Sequence, residues 1–282
     1  MKLRINTEQF YVLLIALPCI FLLVFYVLPV LNVLLLSVSD PQPGLKNYHQ
    51  IFENATLHRV FWNTAKISIL TTVITVAMGY MVGYGLINMR ERERNIVLLA
   101  VLASFWLSAL IRAYAWIAIL GTSGIVNEAL TALGFIERPL QMVRNEFGVV
   151  IGMVHYMIPY AVLPLYANMS GIDMSTTRAA RALGANKWRS FWWVFFPQSM
   201  PGVAGASILV FIFSLGFYIT PAILGGGRVV MLAQYIAQQI SETLRWGLAA
   251  MLSTVLVFVV LLLTVWMSRF LRQGSTLGIG GR

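Results

Sequence analysis

The sequence has few charged residues and a single cysteine, and both shortages restrict what the protein can be. Only 11% of its residues are charged, whereas a soluble domain carries roughly a quarter. Cys19 alone cannot form an intramolecular disulfide or a thiolate metal site, and His49, His58 and His155 lack metal-ligand spacing. The composition therefore excludes an ordinary soluble domain and a disulfide-stabilised secreted one, and no metal site is expected.

Motifs of catalysis and nucleotide binding are also missing. No segment reads G-x-x-x-x-G-K-[ST], G-x-S-x-G or H-E-x-x-H, and Gly225-Gly226-Gly227 is followed by Arg228 without the Lys-Ser or Lys-Thr ending. The acidic residues lie almost entirely outside the apolar stretches. We therefore expect no enzymatic activity, no ATP hydrolysis and no cofactor in this chain.

Apolar residues, by contrast, are abundant and concentrated in long runs. They make up 59% of the chain. A helix that crosses a bilayer needs about 20 apolar residues, because lipid offers the backbone no hydrogen-bond partner. Stretches of about that length lie at 10–36, 61–87, 96–120, 147–167, 202–219 and 247–270. The sequence predicts an all-α integral membrane protein with six transmembrane helices.

Basic residues mark one side of these predicted spans. The N-terminus, the second and fourth connections and the C-terminus carry most of them, and six crossings place these four segments on one side of the membrane. Basic residues of short loops stay cytoplasmic. We therefore expect both termini in the cytoplasm. The net charge of +10 then reports membrane orientation, and nucleic acid is not an expected partner.

The connection between the fourth and fifth predicted spans, residues 169–199, combines signals that start and end a helix. Asp173 or Ser175 can cap a helix start, Ala179 and Ala180 favour helix, and Gly184 supplies a left-handed end. These residues predict a short helix on the cytoplasmic surface, with a face of small side chains and a basic rim that a partner protein can bind. We call residues 169–199 the coupling loop.

The coupling loop resembles the cytoplasmic loop of permease subunits in ATP-driven importers. In those subunits Glu-Ala-Ala, three residues, Gly, nine residues, an aliphatic residue, any residue, Leu and Pro follow in order. The present chain keeps the spacing, but Arg178 replaces Glu and Phe196 replaces Leu. The resemblance implies that the contact with an ATPase is made by Arg178, Ala179, Ala180, Arg181, Gly184, Lys187 and Pro197.

Further segments resemble the membrane subunits of bacterial spermidine/putrescine-type ABC importers. They are FWNT at 61–64, FWLSALIRAY at 105–114, MIPY at 157–160, LPLY at 163–166 and LGFYITP at 215–221. The resemblance implies a type I ABC importer permease (MetI-like) fold in the bacterial inner membrane. Residues 1–60 would supply an N-terminal helix and an external loop, 61–270 the permease core and 271–282 a cytoplasmic tail.

The same resemblance implies partners that the sequence itself does not show. They are a second homologous permease subunit, two ATP-binding cassette ATPase subunits that bind ATP and Mg, and an external, periplasmic substrate-binding protein. Membrane lipid surrounds such a chain. An ion-coupled secondary transporter is the alternative from another class, but it would leave the coupling loop unexplained.

A polyamine is the solute implied by the resemblance, and aromatic faces attract such cations. Candidates to line its pathway are Trp106, Tyr114, Tyr160, Phe217 and Tyr218. Many relatives carry an acidic residue beside the glycine that corresponds to Gly216, and this chain has none there. Import of another small organic solute, such as an opine or an amino-acid derivative, therefore stays open.

Arg112 is the charged residue near the centre of the third predicted span. An arginine at a span centre costs about 2.5–3.5 kcal/mol on insertion scales, so it needs a partner or water. The sequence leaves two roles open for it: a place in the translocation pathway, or hydrogen bonds to backbone carbonyls.

Overall fold

The computed structural model describes residues 7–276, which are helical apart from turns and short loops. Wider π-helical turns at Leu23–Val27 and Phe191–Phe195 join α1 to α2 and α10 to α11. Three of the basic residues in the two termini, Lys2, Arg4 and Arg282, lie outside the described residues. The helices are α1 Thr7–Leu22, α2 Leu28–Ser39, α3 Lys46–Glu53, α4 Ala55–Asn88, α5 Glu91–Trp106, α6 Ala109–Leu120, α7 Ile125–Ala132, α8 Glu146–Ser170, α9 Met174–Ala182, α10 Lys187–Ser190, α11 Phe196–Leu215, α12 Ile219–Leu224, α13 Leu232–Ser241 and α14 Trp246–Thr276.

Six helical segments of the described chain are long and apolar enough to cross a membrane. Each overlaps one of the six stretches predicted from the sequence, so the prediction of an all-α, six-span protein is confirmed. The segments are Leu14–Ser39, Ala55–Asn88, Ala109–Ala132, Glu146–Ser170, Lys187–Leu215 and Trp246–Trp266.

The third predicted span, 96–120, is wrong in one respect, because it is not a single helix. α5 ends at Trp106, Leu107 and Ser108 have extended backbones, and α6 begins at Ala109. The charged segment 90–94 of the second connection is largely exposed, and it also forms the beginning of α5. Glu91 and Glu93 lie in its first turn, where acidic side chains stabilise the positive end of the helix dipole.

The fifth predicted span, 202–219, is also displaced in the structure. The helical segment begins at Lys187, passes through the π-helical turn and ends at Leu215. Pro197 lacks the N–H group that a continuing α-helix would use, and the wider turn lies directly before it. The second half of the coupling loop is therefore the start of the fifth span.

The chain divides into two compact units, and the larger one comprises 58–235 and 259–282. Its core is built on α8, which runs uninterrupted through Pro159 and Pro164 and packs along α11. The buried side chains of α8 follow the helical repeat. They include Met153, Met157, Ala161, Leu165 and Met169, none of which is more than 1% exposed.

Small residues let α4 approach α8 closely in this unit. A Cβ atom at Gly79 would lie 2.8 Å from the Cβ atom of Ala161, and one at Gly83 would lie 3.4 Å from the sulfur of Met169. The first separation is too short for a real Cβ atom, whereas the second is close to an ordinary van der Waals contact. Gly79 therefore serves the close packing of α4 against α8.

The smaller unit comprises 1–57 and 236–258. Its predicted external loop turns at residues 40–45 and then forms α3. The Asp40 carboxylate accepts a 2.6 Å hydrogen bond from the backbone N–H of Gly247, at the start of α14. The buried side chain of Asn47 donates to the Asp40 carbonyl at 2.7 Å. The turn at Asp40 therefore holds the beginning of the last span.

Gly247 permits this contact, and its replacement by alanine is expected to destabilise the protein. An added Cβ atom would lie 2.0 Å from the Asp40 carbonyl oxygen, which is backbone and cannot rotate away. Overpacking of this kind costs about 1–3 kcal/mol. The measurement is the thermal midpoint of the purified protein in detergent. Gly205→Ala is the control, because a Cβ atom there meets nothing within 4 Å; equal midpoints for the two variants would contradict the prediction.

Candidate functional site

The coupling loop contains the short helix that the sequence predicts, and its start is capped by Asp173. The Asp173 carboxylate accepts a 2.8 Å hydrogen bond from the backbone N–H of Ser175 and another from the Ser175 hydroxyl. These hydrogen bonds, with a smaller contribution from the positive charge of Arg178, lower the pKa of Asp173. The cap is therefore ionised at neutral pH, which suits the positive end of the α9 dipole.

The end of α9 is a Schellman motif built on Gly184. The backbone N–H of Ala185 donates to the Ala180 carbonyl at 3.1 Å, and that of Gly184 donates to the Arg181 carbonyl at 3.0 Å. Gly184 has a φ of 95°, in the left-handed region that favours glycine. The predicted left-handed ending is confirmed.

Side-chain hydrogen bonds attach α9 to the beginning of the fifth span. The buried hydroxyl of Ser190 donates to the Thr177 carbonyl at 3.0 Å. The Gln198 side-chain amide donates to the Thr176 hydroxyl at 3.3 Å. Because one bond comes from α10 and the other from α11, a displacement of α9 would act directly on the helical segment 187–215.

Four of the predicted contact residues lie on α9 and Gly184 follows it, while Lys187 begins α10 and Pro197 lies in the first turn of α11. Ala180 is half-buried, and Arg178, Ala179, Arg181, Gly184, Lys187 and Pro197 are exposed. Sequence reasoning missed Leu183, which is 90% exposed at the end of α9. The sequence feature that could have identified Leu183 is its position as a single aliphatic residue directly before the capping glycine. The surface thus presents an apolar side chain among basic ones.

A cavity of about 160 Å³ lies behind this surface, between α9 and the end of α4. Tyr84 and Asn88 of α4 form one side, and Phe191 and Phe195 of the π-helical turn form another. α9 completes the lining with Met174, Thr177, Arg178 and Arg181. We call this space the basic cavity. The basic cavity was not predicted, because its walls come from three separate segments of the chain.

Arg112 is buried and makes the hydrogen bonds to backbone carbonyls that were one of its two predicted roles, while a place in the pathway stays a prediction. Its guanidinium donates to the Ser104 carbonyl and, at 3.3 Å, to the Leu107 carbonyl. Both carbonyls lie at the end of α5, where the next helix does not supply their N–H partners. The guanidinium carbon also lies 4.8 Å from the centre of the Tyr156 ring. Arg112 therefore stabilises the break between α5 and α6.

An aromatic cluster surrounds the Tyr156 ring. Tyr156 stacks on Tyr160 with ring centres 6.1 Å apart, and Phe217 lies 4.6 Å from Tyr156. Phe105 and Phe213 contact Tyr160 at 5.1 and 4.8 Å. Three predicted pathway residues, Arg112, Tyr160 and Phe217, thus meet here. Sequence reasoning did not select Phe213, although its four-residue spacing from Phe217 matches that of Tyr156 and Tyr160.

The other predicted pathway residues are separate from this cluster. Trp106 is 85% exposed, Tyr114 is 63% exposed and Tyr218 is 47% exposed. Their aromatic faces are therefore available to a solute or to a neighbouring chain, and their role stays a prediction.

Lys66 is a charged residue inside the second predicted span that sequence reasoning overlooked. Its ammonium lies 2.5 Å from the Glu146 carboxylate, and both side chains are about two-fifths exposed, at 38% and 43%. The pair links α4 to the first residue of α8. Partly exposed ion pairs of this kind contribute about 0.2–1 kcal/mol.

Among the described residues, no group of three or more His, Cys, Asp or Glu side chains could hold a metal ion.

Comparison with known proteins defines the class to which this six-span chain belongs. Residues 94–274 match the family described as binding-protein-dependent transport system inner membrane component, and the chain belongs to that family. It is therefore an inner-membrane, multi-pass subunit of a transport system and not an enzyme.

Comparison with individual relatives shows which members of the family the chain resembles. The chain is 29% identical to the spermidine/putrescine transport system permease protein PotB of Haemophilus influenzae, over 89% of this chain and 90% of the relative. It is 28% identical to PotB of Escherichia coli K12, over 79% of this chain and 81% of the relative. Sequence comparison thus confirms the resemblance to permeases of the spermidine/putrescine type.

Solved structures show the same fold at lower sequence identity. A bacterial alginate ABC transporter in complex with an alginate pentasaccharide-bound periplasmic protein contains a chain with a TM-score of 0.77, at 17% identity over 96% of this chain and 97% of that one. The MetNI methionine ABC transporter gives a TM-score of 0.56 over 77% of this chain and 95% of that one, also at 17% identity. The predicted type I, MetI-like permease fold is confirmed.

Proposed function

We propose that this chain is a permease subunit of an ATP-driven importer, and that α9 receives the force that drives transport. The observation that carries the proposal is an exposed helix fixed at both ends by its caps and bonded to the fifth span through Ser190 and Thr177. Two ATPase subunits bind ATP and Mg and dock on α9 of this chain and on the matching helix of a second homologous permease. A periplasmic substrate-binding protein delivers the solute.

The docked helix supplies the energy that alternating access requires. Moving a two-state pore from 1:99 to 99:1 takes about 5.5 kcal/mol of differential interaction. Closure of the ATPase pair on nucleotide provides this difference, and the hydrogen bonds from α9 to Ser190 and Gln198 pass it to the segment 187–215. The solute is then exposed to each side of the membrane in turn.

Both termini lie in the cytoplasm in this proposal. The basic residues of the segment 90–94 and of α9 support this orientation, because they lie in the second and fourth connections, on the same side as the termini after six crossings. The coupling loop then faces the compartment that contains ATP.

The proposed solute is a small organic cation, a polyamine. Supporting it are the 28–29% identity to spermidine/putrescine permeases and the exposed rings of Trp106, Tyr114 and Tyr218. Arg112 lies over one face of the Tyr156 ring in this conformation, so that face is not available to a solute cation. An opine or amino-acid derivative is the second candidate, favoured by the absence of an acidic residue beside Gly216.

ATP hydrolysis by the reconstituted complex tests both parts of this proposal. We expect spermidine or putrescine, added with the binding protein, to stimulate hydrolysis several-fold over the binding protein alone. Opines and amino acids are the comparison solutes. Stimulation by one of these and not by polyamines would contradict the proposed solute. Failure of any ATPase subunit to assemble with the chain would contradict the proposal that the chain belongs to an ATP-driven importer.

A further inference from the structure

The basic cavity contains unpaired positive charge. Arg178 and Arg181 are both exposed at its rim, and neither forms an ion pair with any residue in the described range 7–276. Asp173, the N-cap of their helix, has its carboxylate engaged by Ser175. Two guanidinium groups thus lie at one opening, and neither is held in an ion pair by the described part of the chain.

A buried polar atom in the same wall also lacks a partner. Thr177 is 6% exposed and its hydroxyl forms no hydrogen bond within the described structure, although its carbonyl is bonded to Ser190. Buried polar groups are normally paired, so an unpaired one calls for an explanation. Asn88, across the cavity, uses its amide N–H on the Tyr84 carbonyl, and its side-chain oxygen is left as an acceptor.

The volume and the lining of the cavity restrict which chemical groups can enter it. Its volume of about 160 Å³ equals about five water molecules at their liquid volume of roughly 30 Å³ each. This is the size of one amino-acid side chain and too small for a nucleotide. The aromatic walls from Tyr84, Phe191 and Phe195 suit an apolar stem, and the two guanidinium groups suit an anionic end.

We propose that the basic cavity receives an aspartate or glutamate side chain of the ATPase subunit, held between Arg178 and Arg181. The inference rests on the proposed function and specifies one contact within it. In this contact the ATPase supplies the carboxylate, and the permease supplies the two positively charged guanidinium groups.

A carbodiimide crosslink tests the contact directly, because this reagent joins lysine to a touching carboxylate but does not react with arginine. Arg178→Lys and Arg181→Lys keep the positive charge and are made separately in the purified complex. Each is expected to form a new crosslink to the same acidic residue of the ATPase, identified by mass spectrometry. Arg189→Lys is the matched control, because Arg189 is exposed on α10 but does not line the cavity; it should not reach that residue.

The outcomes separate this contact from the proposed function. The contact would be overturned if the intact complex gave no crosslink, a crosslink to Asp173 or an adduct with a phospholipid. None of these results would contradict the proposed importer function. Failure of the ATPase to co-purify with the wild-type chain would overturn both. A crosslink from Arg189→Lys to the same residue would also count against the cavity as the specific site.

A charge-reversal series supplies the second readout. Arg178→Glu is expected to raise the ATPase concentration needed for half-maximal assembly about tenfold, because like charges then face each other across the contact. Replacing the crosslinked acid of the ATPase by lysine should restore assembly with Arg178→Glu and weaken it with the wild-type permease. No restoration would overturn the pairing.

Discussion

Gly184→Val is expected to reduce uptake by the reconstituted importer at least about tenfold while leaving the six spans in the membrane. Gly184 has a φ of 95°, and a left-handed backbone costs an L-residue roughly 1–2 kcal/mol. A β-branched side chain fits this conformation least well. The strain is relieved only by opening the Schellman motif, which displaces the last turn of α9 and with it Arg181 and Leu183.

The effect is one of backbone conformation and not of steric overlap. A Cβ atom at Gly184 meets nothing within 4 Å, so the core of the protein is not disturbed. Gly184→Asn is the matched control, since asparagine adopts left-handed backbone more readily, and it should keep most of the uptake. The measurements are uptake into proteoliposomes, solute-stimulated ATP hydrolysis and the thermal midpoint. Wild-type uptake by Gly184→Val would refute a coupling role for the end of α9.

Arg112→Met is expected to destabilise the membrane core and to reduce the amount of folded protein. The substitution leaves the carbonyls of Ser104 and Leu107 without their donor at a helix break between apolar segments. An unsatisfied group of this kind costs about 1–3 kcal/mol in proteins. Loss of the contact with the Tyr156 ring adds about 0.5–2 kcal/mol.

Arg112→Lys and Tyr114→Phe are the controls for this prediction. Lysine keeps the charge but lacks the planar fork that reaches two carbonyls, so its thermal midpoint should fall between those of wild type and Arg112→Met. Tyr114 is on the same helix and is 63% exposed, and its variant should melt with the wild type. If Arg112→Met keeps the wild-type midpoint but loses uptake, Arg112 belongs to the pathway and its structural role is wrong.

Much of the fold and of the coupling loop could be predicted because their signals are local. The length of an apolar run decides whether a helix can satisfy its own backbone across a bilayer, and six runs met that condition. Asp173 and Gly184 act on the few residues next to them, so the cap and the left-handed ending of α9 were readable in advance. The spacing from Arg178 to Pro197 identified the family for the same reason.

The tertiary structure alone decided the break between α5 and α6, because the run 96–120 contains neither proline nor glycine to mark it. The break is stable because Arg112 bonds the free carbonyls and packs on Tyr156, which belongs to another helix. Likewise, the ion pair of Lys66 with Glu146, the close contact of Asp40 with Gly247 and the basic cavity join residues that are distant in the chain. The sequence determined by itself where the six apolar segments lie and how the short helix α9 begins and ends, since those depend on neighbouring residues. Which charges and polar groups meet depends on how the helices pack.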